Sequence, residues 1–360
     1  MSDFFEIDFL DVESKKSGDA IAIRYSQNGQ ISIHVVDGGY QSTGDTLVKH
    51  INQYYGSPTK IDQVVLTHPD GDHAGGLRTV LEEFQIGRLW MLRPWLYASE
   101  LLPRFQRFTT VEGLSARLKD VFPHISALEE IAIRNRIPIF EPFQGAKIGA
   151  FTVMTPTKER YLQLVVDSEK TPNQASIANA QNFSSLFERA LANSLSFVRS
   201  LWGEEKFSNE PTSRENEMSV VQFAEICGMK ILLTGDTGRE GLEEAASFAP
   251  FVGLQLPGID RFQVPHHGSR RNVSTDILNK WLGNKLPIIP SPGAETFSAI
   301  ISSAKADPDH PRKSVIRAMI HRGGRVYTTE GRTINFQSNA PSRSGWSSVQ
   351  QESYPQEQED

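Results

Sequence analysis

The apolar positions open as three short runs. Residues 4–10, 20–25 and 31–36 have the length and alternation of strands. Helical spacing follows over 47–55. It leads into a continuous apolar run at 61–66, which reads as a buried strand. Residues 77–84 read as a helix and 88–92 as a further strand. From 218 to 334 strands and helices alternate again, beginning with a hairpin over 218–226 and 230–233. Two halves that each alternate strand with helix predict an α/β architecture with helices packed outside the sheets.

The middle of the chain has a different texture. Residues 94–138 place Phe105, Phe108, Leu114, Leu118 and Phe122 at helical spacing. After a strand at 151–154, residues 168–181 are polar and read as a loop. Phe183, Leu186, Phe187, Ala190, Leu191, Leu195, Val198 and Leu201 then follow i, i+3, i+4 spacing, which predicts a long helix. These two blocks, about 94–138 and 168–203, either cover a cleft as insertions or complete an outer helical layer. Residues 337–360 are rich in Ser, Gln, Glu and Pro. Their composition predicts a disordered acidic tail beyond a domain of residues 1–336, and predicts that its removal is harmless.

Composition narrows the function only a little. A chain of 360 residues holds one large domain or two modest ones. The formal charge is −6, and the tail carries four acids against one base. The rest is close to neutral, so global charge gives no support for a nucleic-acid binder and leaves room only for a local basic patch. Cys227 is the single cysteine, so no disulfide forms within the chain. The first eight residues lack a basic segment followed by an apolar run, which argues against a secretory leader. No stretch reaches about 18 apolar residues, so no membrane span is expected. These features predict a cytoplasmic protein.

Chemistry enters just after the strand at 61–66, in His68-Pro69-Asp70-Gly71-Asp72-His73. Two imidazoles and two carboxylates in six residues are a poor way to build a core and a good way to hold metal at a sheet rim. Mixed imidazole and carboxylate donors suit zinc, manganese or iron. His68 and Asp70 are two residues apart, while Asp72 and His73 are adjacent and point apart, so one loop can offer donors to two ions. Gly71, Gly75 and Gly76 allow the turns this needs. The bland alternative is a polar loop in which Asp72 caps a helix.

At this point the sequence resembles a family. Residues 68–77, HPDGDHAGGL, resemble the HxHxDH signature of the metallo-β-lactamase fold, with Asp in the second position. Further stretches resemble the subgroup around the hydrolase domain of ComEC-type competence proteins. They are Phe9-Leu10-Asp11-Val12 with Gly18-Asp19-Ala20-Ile21, then Val36-Asp37-Gly38-Gly39, then Leu232-Leu233-Thr234-Gly235-Asp236, and Val264-Pro265-His266-His267-Gly268-Ser269. The resemblance spans roughly residues 4–335, with a gap in the middle. It implies a four-layer αββα sandwich with helical insertions, and a hydrolytic centre of two divalent ions, zinc or manganese.

The implied ligands are His68, Asp70, Asp72, His73, Asp236 and His266, with Asp236 bridging the ions. Many members carry a metal-binding His just before the hairpin at 218. Here that stretch is Arg214-Glu215-Asn216-Glu217-Met218-Ser219, so the first ion would rely on an oxygen from Asn216 or Glu215. His124, the only His between His73 and Asp236, reads as a surface residue. Of the adjacent pair, His266 is assigned as the ligand of the second ion, and His267 is left to contact substrate or donate a proton. Ser269, Arg270 and Arg271 bring a hydroxyl and two cations that suit an anionic phosphate, with Asn216 as a further substrate contact. His310, before Pro311, resembles a late His-Pro stretch of the family and is a second candidate acid. Asp37 is expected to steady an imidazole of the metal loop.

The expected reaction is attack by a hydroxide activated between the two ions, oriented by Asp72 and Asp236, with His267 or His310 protonating the leaving group. A phosphodiesterase or nuclease fits best, acting on nucleic acid or a small phosphodiester. A hydrolase of a small ester, lactone or thioester is the alternative, since this fold hosts many chemistries. A binding or regulatory module that kept the fold is a third reading, and the near-complete ligand set speaks against it.

Overall fold

The computed structural model describes residues 3–12, 15–171 and 197–360. Its strands are β1 (Phe4–Phe9), β2 (Ala20–Gln27), β3 (Gln30–Gly38), β4 (Lys60–Val65), β5 (Gln85–Trp90), β6 (Ile139–Phe140), β7 (Lys147–Ile148), β8 (Phe151–Thr155), β9 (Phe197–Arg199), β10 (Val221–Ile226), β11 (Met229–Leu233), β12 (Arg261–Gln263), β13 (Phe297–Ile301), β14 (Gly324–Thr328), β15 (Ile334–Ser338) and β16 (Glu357–Glu359). One seven-stranded sheet runs β15-β1-β2-β3-β4-β5-β6, and a second runs β14-β13-β12-β11-β10-β8-β7. From β15 through β1 and β2 to β3 the pairs are antiparallel, as in Ile7 opposite Ile23, whereas β3, β4, β5 and β6 are parallel. In the second sheet β11 to β14 are parallel.

Period-two alternation decides how the sheets stack. In β11, Ile231 and Leu233 join a core shared with β1 to β5, while Leu232 between them joins a second core. In β10, Ala224 and Ile226 face the first core and Val221 and Phe223 the second. The inner faces of the two sheets therefore pack together. The outer face of the second sheet is covered by the helices Arg239–Phe248, Thr275–Leu282 and Lys313–His321, through Leu242, Trp281 and Met319. Helices Gly44–Tyr54 and Leu77–Glu83 cover the first sheet through Leu47, Ile51 and Val80. This is the expected mixed α/β fold, two large sheets flanked by helices.

The first inserted block is helical, with Val111–Val121 and Pro123–Arg134 as its main helices, and Phe105, Leu114, Leu118 and Phe122 are buried in the first core. The helix predicted over 183–201 falls largely outside the described residues. Its last turn does not form, because Phe197–Arg199 is strand β9, paired antiparallel with β16. Among the described residues no helix is long and apolar enough to cross a membrane.

The tail also departs from expectation. Its polar composition predicts disorder, yet it lies along the domain. Arg343 is held between Glu6 and Asp8, fully buried acids on β1. Trp346 packs on Tyr54, with ring centroids 5.3 Å apart. Tyr354 Oη lies 3.0 Å from His321 Nε2, and the Glu359 carboxylate accepts from the backbone N–H groups of Lys313 and Ser314, at the start of a helix. A few specific partners replace the apolar residues that the segment lacks.

Candidate metal centre

The side chains that matter leave the carboxyl ends of parallel strands, where ligand sites of open α/β sheets form. Asp37 closes β3, and His68 follows β4. On the other sheet, Asp236 follows β11 and His267 follows β12. The two sheets are stitched together here. Val220 N donates to Thr67 O at 3.0 Å, and Gln263 Nε2 donates to Asp19 Oδ2 at 3.0 Å. Asp70 starts the short helix Gly71–Ala74 without a side-chain cap, and Asp72 lies inside it, so neither carboxylate is spent on capping. Gly76 is required by close approach. A Cβ there would stand 2.0 Å from Gly38 O, pushing the metal loop away from β3.

Six donors converge across the seam. His73 Nε2 lies 3.3 Å from Asp236 Oδ1, and His68 Nε2 lies 3.8 Å from Asp236 Oδ2. His267 Nε2 is 3.7 Å from both Asp72 Oδ2 and Asp236 Oδ2. Asp19 completes two of the four overlapping groupings of potential ligands. These are His68–His73–Asp236, Asp72–His73–His267, Asp19–Asp236–His267 and Asp19–Asp37–His73.

Each of the three inward imidazoles is oriented from behind. His73 Nδ1 donates to Asp37 Oδ2 at 2.7 Å. Thr67 Oγ1 donates to the same carboxylate at 2.6 Å and receives His68 Nδ1 at 3.1 Å. His267 Nδ1 donates to Ser302 O at 2.9 Å. With every Nδ1 engaged, each Nε2 presents a lone pair to the centre. His68 Nε2, His73 Nε2, His267 Nε2, Asp236 Oδ1 and Asp19 Oδ1 are buried there and find no hydrogen-bond partner among the described residues. Buried polar atoms are normally paired. A group of unpaired ones facing each other, with spacings near those around a tetrahedral ion, fits a divalent metal.

The charges reinforce one another. Burial opposes the Asp236 carboxylate, but His73, His266 and His267 hold it well below the usual range. Burial likewise opposes protonation of His267, yet Asp236 and Asp72 push it up to about 9. Asp19 is pushed up by burial. A carboxylate held ionised beside an imidazole of raised proton affinity is a place where a cation can take over the positive charge.

Within the adjacent pair, expected to offer His266 as the ligand, the structure turns His267 inward instead. His267, not His266, faces Asp72. His266, His267 and Gly268 have φ of 48°, 55° and 81°, a left-handed run that turns the second imidazole inward and the first to the rim. His266 is in none of the four groupings among the described residues. It lies 3.6 Å from Asp236 Oδ2, with Nδ1 3.0 Å from Asn272 Oδ1 and from Asn216 Nδ2. Asp70 is also outside the groupings, and its Oδ1 accepts from Lys170 Nζ at 2.8 Å.

His310 reaches the site edge, 5.4 Å from the His266 ring, with Nδ1 on Asp307 at 3.2 Å. Ser269, two residues after His267, is buried, but the two arginines that follow it have partners within the chain. Arg270 Nη1 donates to Asp360 O at 3.1 Å, and Arg271 pairs with Glu210. His124 is not a free surface residue. It is half-buried, and a Cβ on Gly71 would stand 2.9 Å from its Nε2. Asp19, Asn272 and Lys170 were missed as site residues. Asp19 lies in Gly18-Asp19-Ala20-Ile21, a stretch that carries the family resemblance and is its signal in the sequence; Lys170 and Asn272 carry no such signal.

Residues 17–142 match the sequence profile of the metallo-beta-lactamase superfamily. The match covers about a third of the chain. The match holds Asp19, Asp37 and the whole metal loop, while Asp236 and His267 lie beyond it. Among curated proteins none matches the chain. Solved structures similar to it include a diphosphatase from the PhnP family, 11% identical over 93% of this chain and 99% of that one, with a TM-score of 0.33. The Rm3 metallo-beta-lactamase is 9% identical over 75% and 80%, with a TM-score of 0.32. A beta-lactamase domain protein from Burkholderia ambifaria is 15% identical over 71% and 67%, with a TM-score of 0.31. Likeness at this level bears on no point of substrate.

Proposed function

We propose that this chain, part of which matches the metallo-beta-lactamase superfamily, is a metal-dependent hydrolase acting on a small anionic phosphodiester. The observation that carries the reading is the set of inward Nε2 and carboxylate atoms without hydrogen-bond partners. Each buried atom left so costs about 1–3 kcal/mol. One shared cation removes the cost for several at once.

Asp72, His73, Asp236 and His267 would hold that ion, with Asp19 and His68 adjoining them. The expected pair of ions, zinc or manganese, needs a second position at His68 and Asp70, which the structure furnishes less fully. The mixed donor set suits either metal. When bound, the ion lowers the pKa of a coordinated water and stabilises charge developing on the substrate oxygen. The chain does the positioning. Asp37, Thr67 and Ser302 fix the three imidazoles. Asp236 is pinned through its backbone by Ser219 Oγ and Asn272 Nδ2. Burial keeps His310 low, at about 4, despite Asp307, so it is neutral at pH 7 and suited to hydrogen-bond a substrate oxygen. An anion beside it would favour its protonated form and let it serve the leaving group. Reassigning His267 as a ligand leaves this task to His310.

The motif likeness to ComEC-type hydrolase domains supports a phosphodiester. Arg270 and Arg271 each have a partner within the chain, which favours a small substrate over a polynucleotide whose phosphate backbone would call on both. The same observation favours the second reading, a small ester or lactone. Turnover of bis(p-nitrophenyl) phosphate, single-stranded DNA and a simple lactone, each with zinc or manganese, separates these. The small phosphodiester should be cleaved fastest. Cleavage of the lactone alone would replace the first reading with the second.

A further inference from the structure

Asp70 is the outlier of the metal loop. Its side chain is turned to Lys170, and it joins no grouping of potential ligands among the described residues. Lys170 is exposed, but its backbone is held. It follows the helix Lys158–Asp167 in a turn whose Ser168 and Thr171 are fully buried. Ser168 Oγ accepts from Lys170 N at 3.1 Å and bonds Glu215, the neighbour of Asn216. Thr171 Oγ1 donates to Ser168 O at 2.8 Å. A built turn thus delivers an ammonium to a carboxylate of the metal loop, 100 residues away in the chain.

The two candidate ion positions are unequal. Asp72, His73 and His267 form one grouping of buried or part-buried donors, and Asp236 joins His267 and Asp19 in another. On the other side His68 groups with His73 and the shared Asp236, while Asp70 lies 3.9 Å and Asp236 3.8 Å from His68 Nε2 and Asp70 joins no grouping among the described residues. The place from which a further donor would come holds Asn216, whose Nδ2 lies against His266. Asp70 already has its counter-charge. An incoming dication there must displace the ammonium or sit beside it, and like charges at that range repel strongly.

We propose that Lys170 stands in for the second metal ion. Its ammonium neutralises Asp70, so the centre binds one divalent ion tightly and admits a second only weakly. This rests on reading the cluster as a metal centre. It assigns the second positive charge of the site to the protein itself.

The test is metal binding by the full chain. Metal-free protein is titrated with manganese alone, reading ions per chain by elemental analysis and spin coupling by EPR. Wild type should take up one ion with an uncoupled signal, the second binding roughly 100-fold more weakly. Lys170→Met should bring the second site within reach and give a coupled pair, while Lys170→Arg should stay at one. Should Lys170→Met not fold, Lys170→Gln serves the same purpose. Asp70→Asn should leave the single tight ion in place. Two equally tight ions in wild type, or one ion in the neutral variants, would overturn the proposal and leave the metal centre intact. No ion in any form would overturn the metal centre itself, and the proposal with it.

Discussion

Asp37 accepts a 2.7 Å hydrogen bond from His73 Nδ1, and that bond turns Nε2 of the same ring to within 3.3 Å of Asp236 Oδ1 on the opposite sheet. The carboxylate also receives Thr67 N at 2.8 Å and Thr67 Oγ1 at 2.6 Å. A single buried side chain at the end of β3 thereby orients both His73 and, through Thr67, His68. Asp37 has a φ of 56°, a conformation that Asp and Asn tolerate better than most residues.

Asp37→Asn should therefore weaken metal binding without removing a ligand. The amide keeps the left-handed backbone but accepts fewer hydrogen bonds than the carboxylate. Loss of such a supporting partner costs about 10–100-fold in affinity. Competition of the protein with a chelator of known affinity measures it. An unchanged affinity would mean that the imidazoles are held by packing alone.

Arg343 is the pin of the tail. Its guanidinium bonds Glu6 Oε2 at 2.7 Å and Asp8 at 2.8 Å, and both acids are fully buried. Removing one partner of a buried ion pair strands the other charge, at a cost of about 3–5 kcal/mol. Arg24 on Glu6 and His50 on Asp8 soften that cost, so Arg343→Ala should lose about 3 kcal/mol at most. Urea unfolding reads it. A variant as stable as wild type would restore the picture of a dispensable tail.

His34 predicts a pH dependence away from the metal. The ring is fully buried between the sheets, 5.0 Å from that of Phe151, and burial pushes its pKa down to about 3. Unfolded, it returns to an ordinary 6.5. Between those values the unfolded chain binds a proton that the folded chain refuses, so stability falls as pH drops from 6.5 towards 3. His34→Leu should flatten that part of the curve by one proton. Unfolding free energy from neutral pH to about pH 5, compared between the two proteins, checks the slope. Parallel curves would show that His34 does not set it.

The sequence made the metal loop legible because its donors are contiguous and follow one strand. It made the sheets legible because strand alternation is local. What escaped it was long-range or conformational. The choice between His266 and His267 depends on three successive left-handed residues, which reverse the directions that an extended chain would give. Lys170 looks like any lysine until the fold brings it to Asp70. The tail reads as polar and unstructured because its partners, Glu6 and Asp8, are acids in an apolar strand whose need for a cation shows only when that strand is buried.

The central claim is that the paired sheet edges hold a hydrolytic metal centre. It is tested most directly by following metal content and phosphodiester turnover in the same sample through removal and return of zinc or manganese, for wild type and Asp236→Asn. Turnover should vanish as the ion leaves wild type and return with it, in proportion to occupancy. Asp236→Asn, folded by circular dichroism, should neither retain the ion nor turn over substrate. Hydrolysis that persists in metal-free wild type, or an Asp236→Asn variant that keeps both ion and activity, would contradict the account.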